Sequence, residues 1–259
     1  MFESTLNLKK TDLEQKVGRF LGYGDGITKA WTVNQTAGVR DCVESGLRRF
    51  YYPTEPYSWS FLRPTATISL LSGEQTVTLP DDFGNPEGDI TITTTGGQTW
   101  WPLQLVGEGQ LRNRYSQSPS TTGRPIAVAL RPQKGTELLR SQRFEFFFWP
   151  IADQDYTLEC VYSLLMDALT STHPYCYGGA AHAETILESC LAVAESRLDD
   201  SMTVHALEFQ RRMAASIALD RRSKPAHLGY NGDRSDNVRR WNRVNPHYLG
   251  RITYNGQEL

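Results

Sequence analysis

The 259-residue chain is long enough to bury one large core or two smaller ones. With 22% charged residues and a formal net charge of −2, it has no global basic field to hold nucleic acid by neutralising phosphates. The four cysteines, Cys42, Cys160, Cys176 and Cys190, have neither the short paired spacings of a zinc site nor the density of a secreted disulfide scaffold, which fits a reducing compartment. MFESTLNLKK at the N-terminus lacks the apolar run of a secretory leader, and no segment approaches the roughly 20 apolar residues that cross a bilayer.

Thr11 and Glu14 have capping-box spacing, and Leu13, Val17 and Phe20 or Leu21 recur at helical intervals before Gly22, which predicts a short first helix. Gly22, Gly24 and Gly26 superficially resemble a phosphate-binding loop. They follow a helix, however, whereas a dinucleotide fingerprint follows a strand, so phosphate binding is not expected. A second helix is predicted over 33–51, with Val39, Val43, Leu47 and Phe50 on one stripe, Arg40, Glu44 and Arg48 beside it, and Pro53 after it. Gly38 and Gly46 inside it each cost about 1 kcal/mol relative to alanine, which points to another backbone passing close to each.

The next stretch, FYYPTEPYSWSFL, crowds Phe50, Tyr51, Tyr52, Tyr57, Trp59 and Phe61 into twelve positions. A stacking platform for single-stranded nucleic acid would interleave more cations than Arg48, Arg49 and Arg63. The expectation is instead a hinge packed between helices and sheet or against a neighbouring subunit.

From Ala66 the apolar period shortens to that of strands. ATISLL and QTVTL around SGE predict one hairpin, and 90–95 with 99–105 around Gly96-Gly97 predict a second. Residues 107–115 read as a short helix, 116–123 as loop, and 126–130 as a strand after Gly123-Arg124-Pro125. At 143–165, RFEFFFWPIADQDYTLECVYSLL reads as a long hairpin about a polar break with Pro150, Asp153 and Asp155. Its arms carry Phe144, Phe146, Phe148 and Trp149, then Tyr156, Leu158, Cys160 and Tyr162. Roughly seven strands spaced by turns suit a sandwich or small barrel.

Beyond 165 the pattern is helical again. Ala183, Ile186, Leu187, Cys190, Ala194 and Leu198 form one stripe, Asp199-Asp200-Ser201 breaks it, and Leu207, Ala214, Ile217 and Ala218 form another. An antiparallel pair is predicted, with Ala214, Ala215 and Ala218 buried at a tight contact. Residues 223–259 show no sustained period, and no independent fold is expected there.

Catalytic signatures are missing: the chain has no G-x-S-x-G elbow, Walker loop, H-E-x-x-H or CxxC pair. His173, Cys176 and His182 could begin a metal site but lack a fourth ligand, and Asp81, Asp82, Asp153 and Asp155 sit where turn chemistry explains them. Arg211-Arg212 and Arg221-Arg222 read as solvated or interfacial charge. No enzyme, cofactor or metal is expected.

The order of motifs says more than any one of them. A helix ends in Arg49-Phe50-Tyr51, followed by Trp59-Ser60-Phe61; Leu79-Pro80-Asp81-Asp82-Phe83 closes a strand; Gly123-Arg124-Pro125 precedes another. Trp149-Pro150 and Asp155-Tyr156 then lead to Val161-Tyr162 and a closing helix pair. In this order, over 32–222, the chain resembles the head-to-tail adaptor proteins of tailed bacteriophages, the connector ring proteins that dock under the portal. The resemblance implies an α+β fold in which residues 1–61 and 166–222 make a ring-forming helical bundle and 62–165 an inserted antiparallel β-sandwich or barrel domain; residues 223–259 fall outside it and read as an extended C-terminal arm. It implies a structural virion protein at the head–tail junction, assembled in the bacterial host cytoplasm. Its partners would be its own copies in a twelve-fold ring, portal protein above and a tail or nozzle protein below, with DNA passing through the bore without sequence readout and no membrane contact.

The arm is basic, with Lys224, Arg234, Arg239, Arg240, Arg243 and Arg251 against Asp233, Asp236 and Glu258, and it carries apolar Trp241, Tyr248, Ile252 and Tyr254. Such a segment suits ordering on a partner. Arg239 and Arg240 would steer and Trp241 and Tyr248 would anchor on the portal or an adjacent subunit. Two other readings remain open at this level. One is a β-sandwich module binding carbohydrate or a receptor through Trp100, Trp101 and Trp149, and the other is a hydrolase using Asp155 and His173.

Overall fold

The computed structural model describes residues 4–55, 57–94, 102–133, 143–198 and 204–223, with 253–254 and 257–258. The fold is α+β. Its helices are α1 (Lys10–Phe20), α2 (Val33–Tyr51), α3 (Glu108–Gln117), α4 (Ala183–Leu198) and α5 (Val204–Ser223). Capping fixes the first two. α1 starts ahead of the predicted Thr11 cap, because the Asp12 carboxylate accepts the Lys9 N–H at 3.0 Å and so satisfies a donor at the helix start. α2 has the predicted bounds. Thr32 accepts the Gln35 N–H while the Gln35 side chain accepts the Thr32 N–H at 2.9 Å, a reciprocal box.

α1, α2, α4 and α5 meet in one apolar cluster that draws on both ends of the chain. Leu13 and Val17 of α1, Val39, Val43, Leu47 and Phe50 of α2, Ile186, Cys190 and Ala194 of α4, and Met213 of α5 all belong to it. α4 is its axis. Ser189 donates to the Gly46 carbonyl at 2.7 Å on the α2 side, while the Thr185 and Ser216 hydroxyls meet at 2.7 Å on the α5 side. At Gly46 the predicted close approach is present: a Cβ there would lie 2.6 Å from Cys190 Cα. At Gly38 it is absent. An added Cβ would meet open space, and the exposed carbonyl accepts from Arg197 instead.

α4 and α5 run antiparallel, since Thr185 pairs with Ser216 while the buried Glu195 carboxylate accepts the Val204 and Ala206 N–H groups at the other end. The predicted stripe on α5 is inward at Ile217, which packs against the core, and outward elsewhere. Leu207 is 67% exposed, and Ala214, Ala215 and Ala218 are exposed, whereas Met213, Ser216 and Asp220 are buried. Leu198, at the end of α4, is likewise exposed. The inward face combines both kinds of contact: Met213, Phe209 and Ile217 pack on the core, while Ser216 and the start of α5 satisfy the buried polar groups of α4.

Eight strands lie between α2 and α4 among the described residues: β1 (Thr65–Leu70), β2 (Thr76–Thr78), β3 (Phe83–Pro86), β4 (Thr91–Thr94), β5 (Gln104–Leu105), β6 (Ala127–Gln133), β7 (Arg143–Trp149) and β8 (Tyr156–Leu164). They form two four-stranded sheets. In one, β8 pairs with β1 on one edge and with β4 and β3 on the other, all antiparallel. In the other the order is β2-β7-β6-β5, with only β5–β6 parallel. Ile68, Leu70, Leu158 and Tyr162 of the first sheet share a cluster with Val128, Phe146 and Phe148 of the second.

Phe147 points the opposite way, into a smaller cluster with Leu111 of α3, Ala127 and Ala129. The run Phe146-Phe147-Phe148 is therefore buried throughout because its sheet is covered on both faces.

This arrangement overturns the predicted hairpins and the barrel. β7 and β8 do not pair; they belong to different sheets, as do β1 and β2. Both connections are corners that carry the chain from one sheet to the other, and they brace each other. Gly73 N–H donates to the Ala152 carbonyl at 2.8 Å, Ser72 N–H to the Asp155 carboxylate at 2.8 Å, and the Ser72 hydroxyl to the Asp153 carbonyl at 3.1 Å. In the second predicted hairpin, Ile90 bridges Leu103 antiparallel, but β4 then joins β8 and β5 joins β6. Its Gly96-Gly97 turn lies outside the described residues. The outer strands of the two sheets do not pair with one another among the described residues, so no barrel closes.

Residues 224–259 form a separate unit, in which the described β9 (Thr253–Tyr254) and β10 (Gln257–Glu258) pair antiparallel.

Candidate interaction surfaces and the aromatic hinge

The aromatic stretch after α2 becomes a joint between helices and sheets. Trp59 is 1% exposed; its ring stacks on Phe50 at 4.8 Å and meets Tyr57 edge-on at 5.0 Å. Phe61 and His182 complete the group, 5.2 Å apart. With Trp59, Phe50 and Tyr51 buried, these rings hold the fold together and offer no open face for stacking a base.

A buried carboxylate locks the joint. Asp220, in the last turn of α5, accepts from the Tyr57 hydroxyl at 2.6 Å, from the Ser60 N–H at 3.2 Å and from the Ser60 hydroxyl. Burial and this carboxylate push the Tyr57 hydroxyl up to about 12. Ser60 opens a short 3₁₀ turn, Ser60–Leu62, so Asp220 caps the turn's start from another element. An acid in the last turn of a helix opposes the helix dipole, and that is the sequence signal that could have marked it.

The connections to the sheets are tied as well. Arg63 bridges Glu87 at 3.1 Å, and the Tyr52 hydroxyl accepts the Met166 N–H at 2.9 Å where the chain returns.

Burial lowers the His182 imidazole below its ordinary value, with Asp220 opposing the shift. The unfolded chain therefore binds this proton more readily than the folded one. Stability from the neutral ring is full above about pH 6.5 and falls as the pH drops through the depressed folded value. Thermal melting from about pH 7.5 down to about pH 5 should show this loss, with a shallower decline in His182→Phe. An equal decline in both proteins would refute the assignment.

The predicted metal trio does not assemble. His173 is exposed with its ring nitrogen 3.2 Å from the Thr172 hydroxyl. Cys176 is buried, its thiol pushed up to about 12 by desolvation, and no cluster able to hold a metal occurs among the described residues. Asp153 and Asp155 serve the corner as described, with Asp153 also accepting from the Tyr156 hydroxyl at 2.7 Å. Trp149 is half-buried beneath the Arg114 guanidinium, 4.9 Å from its centroid. Trp100 and Trp101 lie outside the described residues, as do Arg239, Arg240, Trp241 and Tyr248. No described helix is long and apolar enough to cross a membrane.

Two outward helix faces stand apart from this joint. On α5, Val204 (72% exposed), Leu207, Ala214, Ala215 and Ala218 line one side together with Arg211. On α2, a groove lined by Trp31, Val33, Thr36, Ala37, Arg40, Asp41 and Glu44 opens beside an 86% exposed Val33.

Exposed apolar helix faces of this kind are candidate interaction surfaces. A family model described as SU10 adaptor protein matches residues 9–234, spanning all the helices and both sheets. The chain belongs to the SU10 adaptor protein family, in keeping with the resemblance to phage head-to-tail adaptors, and the family is one of structural phage proteins. No curated protein matches the chain.

Proposed function

We propose that the chain is the subunit of a head-to-tail adaptor ring in the virion, docked below the portal and above a tail or nozzle protein, through whose bore DNA passes between capsid and tail. The observation that carries this reading is the helical core drawn from both ends of the chain around α4, within the span the family model matches. It supports taking 1–61 and 166–222 as a ring-forming bundle and 62–165 as an inserted β-sandwich domain. The net charge of −2 supports a conduit that does not grip its cargo or read its sequence. Twelve copies, assembled in the host cytoplasm, make the ring. Arg239, Arg240, Trp241 and Tyr248 of the basic arm dock on the portal or a neighbouring subunit.

Native mass spectrometry and negative-stain imaging of the purified chain, with and without portal protein, test the reading. A closed twelve-membered ring that binds portal is the expected result. A monomer at every concentration, with portal present, would overturn it. Deleting 231–259 should weaken portal attachment about tenfold, the effect of losing about 1.4 kcal/mol; unchanged attachment would remove the arm from the interface and leave the ring reading intact.

A further inference from the structure

Two exposed helix faces of the fold differ in charge. α4 lies between α2 and α5, with Ser189 and Cys190 turned to α2 and Thr185, Glu188 and Glu195 turned to α5. The outer face of α5 and the groove on α2 therefore belong to different flanks of the same core. Their chemistry is complementary. The α5 face carries Arg211, with Arg221 and Arg222 exposed further along, and its nearest acid, the half-buried Glu208, is shared between Arg211 and Arg212, whereas the α2 groove carries Asp41 and the half-buried Glu44 against a single Arg40.

Their spacing also matches. One helical turn separates Leu207 from Arg211 on α5, and the same turn separates Ala37 from Asp41 on α2. A parallel docking sets Leu207 into the apolar end of the groove at Ala37, Arg211 against Asp41, and the small Ala214 over the Arg40–Glu44 ion pair, which closes at 2.7 Å. Asp41 is 63% exposed at its side chain and only loosely held by Arg197, at 3.8 Å. Arg211, at 84% exposed, is similarly loose against Glu208. Both are free to re-pair.

We propose that the outer face of α5 in one copy of this chain docks in the α2 groove of the next, and that this heterologous contact is the repeating subunit interface of the ring. The inference rests on the ring reading above. A contact between two different surfaces of one chain runs head to tail and, when its rotation closes, generates a ring.

The test uses the full chain. Arg211→Glu and Asp41→Lys should each raise the concentration at which rings form about tenfold, and the two together should restore assembly, as expected of a charge pair across an interface. Because all four native cysteines are buried, Ala37→Cys combined with Leu207→Cys supplies the only exposed thiols among the described residues. Oxidation should then give a ladder of covalent multimers, which needs the two Cα atoms within about 7 Å. Circular dichroism of each variant verifies that it is folded.

Rings that form at the wild-type concentration in the charge variants, with no ladder from the double cysteine, overturn this interface and leave the ring reading standing. Rings that form normally but lose portal binding in Leu207→Asp assign the α5 face to the portal and likewise overturn it. A wild-type chain that never oligomerises overturns both.

Discussion

Gly46→Ala is expected to destabilise the protein by about 3 kcal/mol while Gly38→Ala, the same substitution two turns earlier in the same helix, stabilises it by about 0.5–1 kcal/mol. The difference comes from what each new methyl meets. At Gly46 it would lie 2.6 Å from Cys190 Cα and 2.7 Å from its backbone nitrogen. Neither atom can swing aside, so α2 and α4 must separate and the surrounding close-packed contacts loosen with them. At Gly38 nothing lies within 4 Å, and alanine gains its ordinary helical advantage. Thermal melting of the two variants beside the wild type decides the matter. For a domain of this size the Gly46 variant should melt about 10 °C lower, and a Gly46→Ala protein as stable as wild type would show that the close approach does not exist.

Asp220→Ala should cost a similar amount, about 3 kcal/mol, and should act on the hinge before the rest of the fold. Removal of the carboxylate takes the acceptor from the Tyr57 hydroxyl, the Ser60 N–H and the Ser60 hydroxyl at once. Asp220→Asn keeps one acceptor oxygen and should lose roughly half as much. Hydrogen exchange at the Ser60 amide reads the local effect directly. Faster exchange there in the alanine variant, with an intermediate rate in the asparagine variant, is the expected pattern. Wild-type protection in both would mean that Asp220 does not hold the joint.

The helices were largely legible in the sequence because their causes are local. Thr32 and Gln35 mark the start of α2 by themselves, and the stripe Val39, Val43, Leu47 and Phe50 identifies its buried side. The individual strands were legible too, by alternation: β1 buries every second residue. What failed was pairing. A polar break between two strands signals a turn, but not whether the chain reverses within one sheet or crosses to another; that choice depended on how Ser72 and Gly73 meet Ala152, Asp153 and Asp155 from far along the chain. The α5 stripe held at Ile217 and failed elsewhere for a related reason. Leu207 and Ala218 are apolar, but Met213, Phe209 and Ile217, together with the partners demanded by Thr185 and Glu195, take the inward face and leave them outside. Asp220 stood in plain view with a charge of the wrong sign for its helix end, and only its distant partners reveal what it does.

The way the chain enters and leaves the sheets has a mechanical consequence. It enters through β1 and returns through β8, and these strands pair directly, with Thr65 opposite Val161 at the end nearest the helices. A force pulling the helical segments apart would reach both strands at that same end. It would open the ladder one pair at a time, each worth only about 1 kcal/mol, instead of loading all the pairs together in shear. Tension is therefore resisted by the ties that lie ahead of the ladder: the Asp220 lock, the Arg63–Glu87 bridge and the Tyr52–Met166 hydrogen bond. Load reaches the Thr65–Val161 end of the ladder only after these ties give way.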